Sequence, residues 1–116
     1  MPGGAGPRRV GSRWELEVRD YLRAQGIPAD RAYGAGRFDD QGDLLVGHAH
    51  LLECKAGRRL ELAEWLDQAR RKTRPGDVPW VVVRRLRAGP ARAYVVTDLA
   101  GYAHVLHNLN ERELEP

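Results

Sequence analysis

The segment DLLVGHAHLLECK, residues 43–55, holds two short apolar runs with a turn between them. Leu44 to Val46 and Leu51 to Lys55 have the composition of β-strands. Residues 47–50, with the sequence GHAH, have the composition of the connecting turn. The segment therefore predicts a β-hairpin.

This hairpin has a consequence for its charged side chains. Pairing about the turn brings Asp43 level with Glu53 or Cys54, to within one residue. Successive side chains of a strand point to opposite faces, so Glu53 and Lys55 are expected on one face and Cys54 on the other, toward the core. The hairpin thus predicts two converging carboxylates with one ammonium beside them.

Two carboxylates are hard oxygen ligands, which suit Mg²⁺ or, as a substitute, Mn²⁺. Such an ion activates water and stabilises charge on a phosphate, and Lys55 can orient the nucleophile or stabilise the same charge. The pattern predicts metal-dependent cleavage of phosphodiesters. The alternative is an exposed hairpin on which Glu53 and Lys55 form a weak surface pair, and short motif matches of this kind are often accidental.

The chain has 116 residues, which predicts one domain over 1–116, with flexible tails at 1–9 and 110–116. One cysteine excludes an intrachain disulfide and a cysteine-based zinc site. Zinc ligation by the four histidines is disfavoured, because His48 and His50 are expected in a turn and His104 and His107 on a weak helix without a nearby partner. With no membrane-length apolar run and no signal peptide, we expect a soluble, cytoplasmic protein.

Positive charge is unevenly distributed along the chain. There are 19 Lys and Arg against 16 Asp and Glu, and most of the basic residues are arginines, whose planar fork suits phosphate. Residues 70–92 include eight basic side chains and one acid, a net charge of +7. This pattern predicts a polyanionic partner. The alternative is a solvated face combined with the codon bias of a GC-rich genome.

The order of predicted elements is helix, hairpin, helix, strand, strand, helix. An α/β fold follows, with a mixed β-sheet of about four or five strands flanked by helices. The signals are a first helix ending before Gly26, a second around Leu62 to Ala69, strands at Trp80 to Val83 and Ala93 to Thr97, and a last helix capped by Asp98 and continuing to Leu106.

Two polar side chains on the helices are candidates for the same site. Glu15 lies on the edge of the apolar stripe of the first helix, where it could face the hairpin and complete a metal site. Ser12 and Glu15 also match a capping box, in which Glu15 would bond to the start of the helix. Gln68, on the polar flank of the second helix, could reach a catalytic water or phosphate, or have no role.

The composition of residues 31–42, with three glycines and with Arg31 and Arg37, predicts a loop. Glycines permit a ligand to approach the backbone closely, and such loops can become ordered on binding. The loop is not a phosphate-binding P-loop, because no Gly-Lys-Ser/Thr follows it.

Taken in order, these parts resemble a known family. The similar parts, in order, are Gly11-x-x-x-Glu15, Arg31 with its glycine loop, Gly42-Asp43-Leu44, Glu53-Cys54-Lys55, a helix and the strand PWVVV. In these parts the chain is similar to the archaeal-type Holliday-junction resolvases. Those enzymes belong to the PD-(D/E)xK nuclease superfamily, whose fold is restriction-endonuclease-like. The resemblance covers roughly residues 8–106 and rests on order and spacing.

The resemblance implies metal-binding roles for Glu15, Asp43 and Glu53, a catalytic role for Lys55 and a phosphate contact at Arg31. It also implies a two-fold dimer that cuts opposite strands of a four-way junction. Two departures stand out. Gly34-Ala35-Gly36 lacks the serine that loops of the family often carry, and the longer spacing to Asp43 makes Arg37 an equal candidate for the phosphate contact.

We therefore predict a Mg²⁺-dependent endonuclease that resolves Holliday junctions in DNA recombination and repair. The alternatives are another PD-(D/E)xK nuclease of repair or restriction type, and a catalytically silent nucleic-acid-binding module. A homodimer matches the symmetry of a junction. Its apolar interface would use Tyr94, Tyr102, Val105 and Leu106, which could equally be core residues, and its phosphate contacts would be Arg13, Arg31, Arg37 and Arg70.

Overall fold

A computed structural model describes residues 7–31, 43–57 and 59–109. It contains a five-stranded mixed sheet flanked by helices, which confirms the predicted α/β class. The elements are α1 (Pro7–Ala24), β1 (Ala29–Arg31), β2 (Asp43–Val46), β3 (His50–Lys55), α2 (Leu62–Lys72), β4 (Val78–Val83), β5 (Tyr94–Val96) and α3 (Leu99–His107), with a 3-10 turn at Pro90–Arg92.

The strands lie in chain order, β1-β2-β3-β4-β5. Strands β3 and β4 are parallel, and the other three neighbouring pairs are antiparallel. A parallel pair needs a crossover connection, which α2 provides. As a result, α2 packs on β3 and β4, whereas α1 packs against β1, β2 and β3.

The α1 side of the sheet contains the larger apolar cluster. Trp14 and Val18 of α1 pack with Leu44 of β2, Cys54 of β3 and Val82 of β4. The Trp14 Nε1 donates a hydrogen bond to the Val82 carbonyl oxygen at 3.2 Å, which ties α1 to the middle of the sheet. The cysteine therefore lies on the core face, as strand alternation predicts.

The α2 side has a smaller cluster formed by Trp65 with Val81 and Val83 of β4. Glu53 and Lys55 of β3 are in register with these two valines. Since paired residues share a face of the sheet, Glu53 and Lys55 point toward α2. The acidic face of the hairpin thus faces the crossover helix α2, while its apolar face packs against α1.

Near the chain ends, the start of α1 differs from expectation and the cap of α3 agrees with it. Helix α1 begins at Pro7, so residues 7–9 belong to a helix and not to the predicted tail. Residues 1–6 and 110–116 lie outside the described residues. The predicted cap of α3 is confirmed, because the Asp98 side chain accepts a hydrogen bond from the Gly101 N–H at 2.8 Å.

No helix within the described ranges is long and apolar enough to cross a membrane.

Candidate active site

Two carboxylates meet on neighbouring strands at the centre of the sheet. Asp43 opens β2 and is the antiparallel partner of Glu53 in β3, so the predicted hairpin register is confirmed. Both side chains are almost fully buried, with 5% of Asp43 and 1% of Glu53 exposed. Buried carboxylates need positive partners or strong donors, because an uncompensated charge is costly away from water.

Helix α2 supplies a positive charge that compensates this acid pair. Lys72, the last residue of α2, places its Nζ 2.9 Å from Glu53 Oε2 and 3.1 Å from Asp43 Oδ2. Its side chain is 21% exposed. The ammonium thus bridges the acid pair, and sequence reasoning did not single out this lysine.

Lys55 lies on the same face, beside the acid pair. Its Nζ is 3.6 Å from Glu53 Oε1 and donates a hydrogen bond to Gln68 Oε1 at 3.2 Å. The ammonium also lies 5.7 Å from the centre of the Trp65 ring, at cation–π distance. Gln68 and Trp65 therefore orient Lys55, and Gln68 is not an idle surface residue.

One signal could have indicated Lys72 in the sequence. Lys55 and Lys72 are the two lysines of a chain that otherwise uses arginine, and both ammonium groups lie at the acid pair. Residues Trp65, Gln68 and Lys72 are spaced i, i+3 and i+7, which places them on one helix face. The four charged side chains, namely Asp43, Glu53, Lys55 and Lys72, sum to a net charge of zero.

Glu15 forms an ion pair with Arg31. It is 2% exposed, and its Oε1 and Oε2 accept hydrogen bonds from the Nε and Nη2 of Arg31 at 2.7 and 3.3 Å. Arg31 is in register with Leu44, whose side chain belongs to the α1 side. Within the described part of the chain, no group of three His, Cys, Asp or Glu side chains could hold a metal ion. The structure therefore brings Asp43 and Glu53 together, and the role of Glu15 as a third metal ligand stays a prediction.

The capping alternative for Glu15 is wrong. Helix α1 begins at Pro7, so Ser12 is inside the helix and Glu15 lies more than two turns from its start. Glu15 instead makes a nearly buried ion pair that joins α1 to β1. No spacing along the chain indicates this pair, since Arg31 reaches Glu15 only through the pairing of β1 with β2.

Cys54 is a buried thiol on the α1 side of the sheet. Burial raises the pKa of its thiol well above the usual range, and the negative charges of Glu15 and Glu53 add to the shift. The thiol is thus a neutral core group and not a nucleophile or metal ligand.

The arginines predicted to contact phosphate differ in their exposure and in their partners. Arg13 is exposed, while Arg70 is half exposed and its Nη2 bonds the Asp98 carboxylate. The guanidinium of Arg31 contacts Glu15. Arg37 and the glycine loop fall in 32–42, outside the described residues.

A further group of arginines follows β4. Arg84, Arg85 and Arg87 are exposed, and the Arg84 N–H donates to the Lys55 carbonyl oxygen at 2.9 Å. Because β3 and β4 are parallel, these arginines lie at the sheet end where Lys55 ends β3. Positive charge is therefore present at this end of the sheet, although the Arg84 guanidinium lies 6.0 Å from the centre of the Trp14 ring, on the α1 side.

A scan against models of protein families finds no matching family, and a search of the curated proteins finds no match.

Proposed function

We propose that this protein is a metal-dependent DNA endonuclease that resolves four-way junctions by paired incisions. The observation that carries the proposal is the pairing of Asp43 with Glu53 on adjacent strands, with Lys55 on the same face. Buried carboxylates opposite one another, with an ammonium alongside, form a costly arrangement that a sheet core does not need. The convergence of these side chains favours a catalytic role over a purely structural one.

The donor set fits a hard divalent cation. Mg²⁺ is commonly held by one or two carboxylates and takes waters and phosphate oxygens as its other ligands, so two acids suffice. A cationic group, the Lys72 ammonium, already lies within 3.1 Å of both carboxylates, which indicates that the pair accommodates positive charge. Asp43 and Glu53 would hold the ion, which activates water and stabilises charge on the phosphate.

Lys55 acts on the phosphate or on the attacking water. Its hydrogen bond to Gln68 and its position over Trp65 restrict the ammonium to the edge of the acid pair. A fixed positive group at this point stabilises charge that develops on phosphate oxygens without having to reorganise during the reaction. Gln68 and Trp65 are positioning residues for Lys55.

A group of exposed arginines supports DNA as the substrate. The exposed arginines after β4 lie at the end of the sheet where Lys55 is found. Arginines of this kind bind phosphates electrostatically and without regard to sequence. The choice of a four-way junction rests on the resemblance described above, which also implies a two-fold dimer with two active sites.

The test is incubation of the protein with labelled four-way junction, flap and duplex DNA, with and without Mg²⁺. We expect Mg²⁺-dependent symmetric incisions in the junction. Asp43→Asn and Glu53→Gln should each reduce the rate by about 10³-fold or more, because a bound ion contributes several kcal/mol to stabilising the transition state. Substantial cleavage by either variant would rule out this site.

Matched controls come from exposed acids of α2. Asp67→Asn and Glu64→Gln make the same chemical changes on the solvent face and should leave cleavage unchanged. Preferential cutting of flap or plain duplex would keep the nuclease but assign it to repair or restriction-like activity.

A second candidate is a silent nucleic-acid-binding module, which the contact of Lys72 with both acids favours. An acid pair that is already neutralised is stable without a metal. Under this candidate the wild-type protein would bind junctions, and neither Mg²⁺ nor Mn²⁺ would produce any cut.

A further inference from the structure

Lys72 has a position that the proposed chemistry does not explain. Its Nζ lies within hydrogen-bond distance of Asp43 and of both Glu53 carboxylate oxygens, at 2.9 to 3.3 Å. Both acids point from the sheet toward α2, and the ammonium occupies the point at which they converge. A divalent ion bound by the same two carboxylates would need that point.

The two cations therefore compete for one place. An ammonium and a divalent ion held by the same carboxylates would repel each other at close range, and little water is present to screen them. Lysine is suited to leaving such a place, because its charge is carried on a flexible four-carbon stem and forms no rigid bidentate fork. The 21% exposure of the Lys72 side chain shows that it borders solvent.

We propose that Lys72 is a displaceable internal counter-ion: it neutralises the Asp43–Glu53 pair while the pair holds no metal, and a divalent cation binds the pair only by displacing it. The inference rests on the proposed function in taking this pair as the metal site. Lys72 is thus a positioning residue that keeps the acids together and sets the affinity for metal.

Displacement also gives the ammonium a second location. Lys72 ends α2, next to Arg71, whose side chain is exposed. An ammonium released from the acids joins this basic turn, where it can contact a phosphate. Metal binding would then add positive charge both within the site and at its edge.

The first test is a calorimetric titration of the DNA-free protein with Mn²⁺. When a site is available in only a fraction of molecules, its apparent affinity falls by that fraction, so occupancy by Lys72 in nine molecules of ten weakens binding about tenfold. We therefore expect Lys72→Met to bind Mn²⁺ about tenfold more tightly than the wild type, or better. Arg71→Met, which removes a neighbouring exposed charge, should match the wild type.

A merely structural role for Lys72 would not raise metal affinity. Equal or weaker Mn²⁺ binding by Lys72→Met would overturn the inference and leave the proposed nuclease intact. Absence of Mn²⁺ binding in both proteins would overturn the inference and the metal-dependent function together. Lys72→Gln, which retains a donor without the charge, replaces the methionine variant if that variant does not fold, with the same expectation.

The second test uses the unaltered protein and follows its lysines by NMR after lysine-selective ¹³C labelling. Since the chain has two lysines, Lys72→Arg assigns both ε-methylene signals. We expect Mg²⁺ to move the Lys72 signal progressively toward that of a solvated lysine as its concentration rises to saturation. An unchanged Lys72 signal at saturating Mg²⁺ would show that the ammonium stays on the acids and would overturn the inference.

Discussion

The carboxylate of Glu15 is held in a nearly water-free position by two hydrogen bonds from Arg31. We expect Glu15→Gln to lower the free energy of unfolding by about 1.5–3 kcal/mol, the range for hydrogen bonds to charged groups. Arg31→Met should cost at least as much, because it leaves Glu15 with an uncompensated charge. Urea denaturation of both variants and of the double variant measures the coupling.

The opposite result would restore a role for Glu15 in catalysis. If Glu15→Gln abolished junction cleavage while its unfolding free energy matched that of the wild type, the carboxylate would act at the metal and not as a structural partner of Arg31. Measuring cleavage and denaturation on the same preparations separates the two roles.

The reactivity of the Cys54 thiol can be measured directly. Burial and neighbouring carboxylates raise the pKa of its thiol, so the nucleophilic thiolate is scarce in the folded protein. We expect a maleimide to leave the native protein unlabelled and to modify one thiol after unfolding in urea. Rapid labelling of the native protein would contradict the burial of Cys54 between α1 and the sheet.

The stability of helix α3 depends on its N-cap residue, Asp98. Asp98 accepts a hydrogen bond from the Gly101 N–H, and this bond, with the nearby Arg70, holds the pKa of the carboxyl below its usual value. We expect Asp98→Ala to lower the free energy of unfolding by about 1 kcal/mol, as for other N-caps. Thermal denaturation measures the loss.

Asp98→Asn is the matched control, because asparagine caps as well as aspartate but makes no ion pair with Arg70. An exposed ion pair contributes little, so this variant should remain near wild-type stability. An equal loss in both variants would assign the stabilisation to Arg70 instead of to the cap.

The elements were predictable where one local pattern determines them. The turn and the alternation of residues 43–55 predict the hairpin and the pairing of Asp43 with Glu53 or Cys54; the structure confirms the hairpin and shows Glu53 as the partner. Glu15 and Lys72 required more, because their partners are set by packing between elements distant in sequence. Arg31 reaches Glu15 through a strand pairing, and Lys72 reaches the acids through the crossover of α2. Neither contact has a spacing that a single segment reveals.

At the scale of the whole molecule, β5 and α3 present an apolar surface. Tyr94, Val95, Leu99 and Tyr102 are exposed, and an open groove of about 490 Å³ runs between the strand and the helix. Val105 and Leu106, also predicted for the interface, are half-buried. We expect a homodimer through this surface, since large exposed apolar patches mark interaction sites.

Sedimentation equilibrium should give about twice the 13.0 kDa chain mass. Leu99→Glu, which places a charge at the most exposed of these apolar residues, should shift the mass toward that of one chain without unfolding the protein. A mass of one chain for the wild type at working concentration would exclude the dimer, and with it simultaneous paired incisions.

The electroneutrality of the four charged side chains around Asp43 has a thermodynamic consequence. A divalent cation that takes the place of the Lys72 ammonium on the carboxylates, and moves that ammonium to the edge of the site, adds two positive charges to a region that had no net charge. DNA phosphates are attracted to the loaded cluster more strongly than to the empty one. Linkage makes the effect reciprocal: DNA must strengthen cation binding by the same factor by which the cation strengthens DNA binding. Substrate and metal would then assemble cooperatively, so that the hydrolytic centre is complete chiefly when a phosphate is there to be cut.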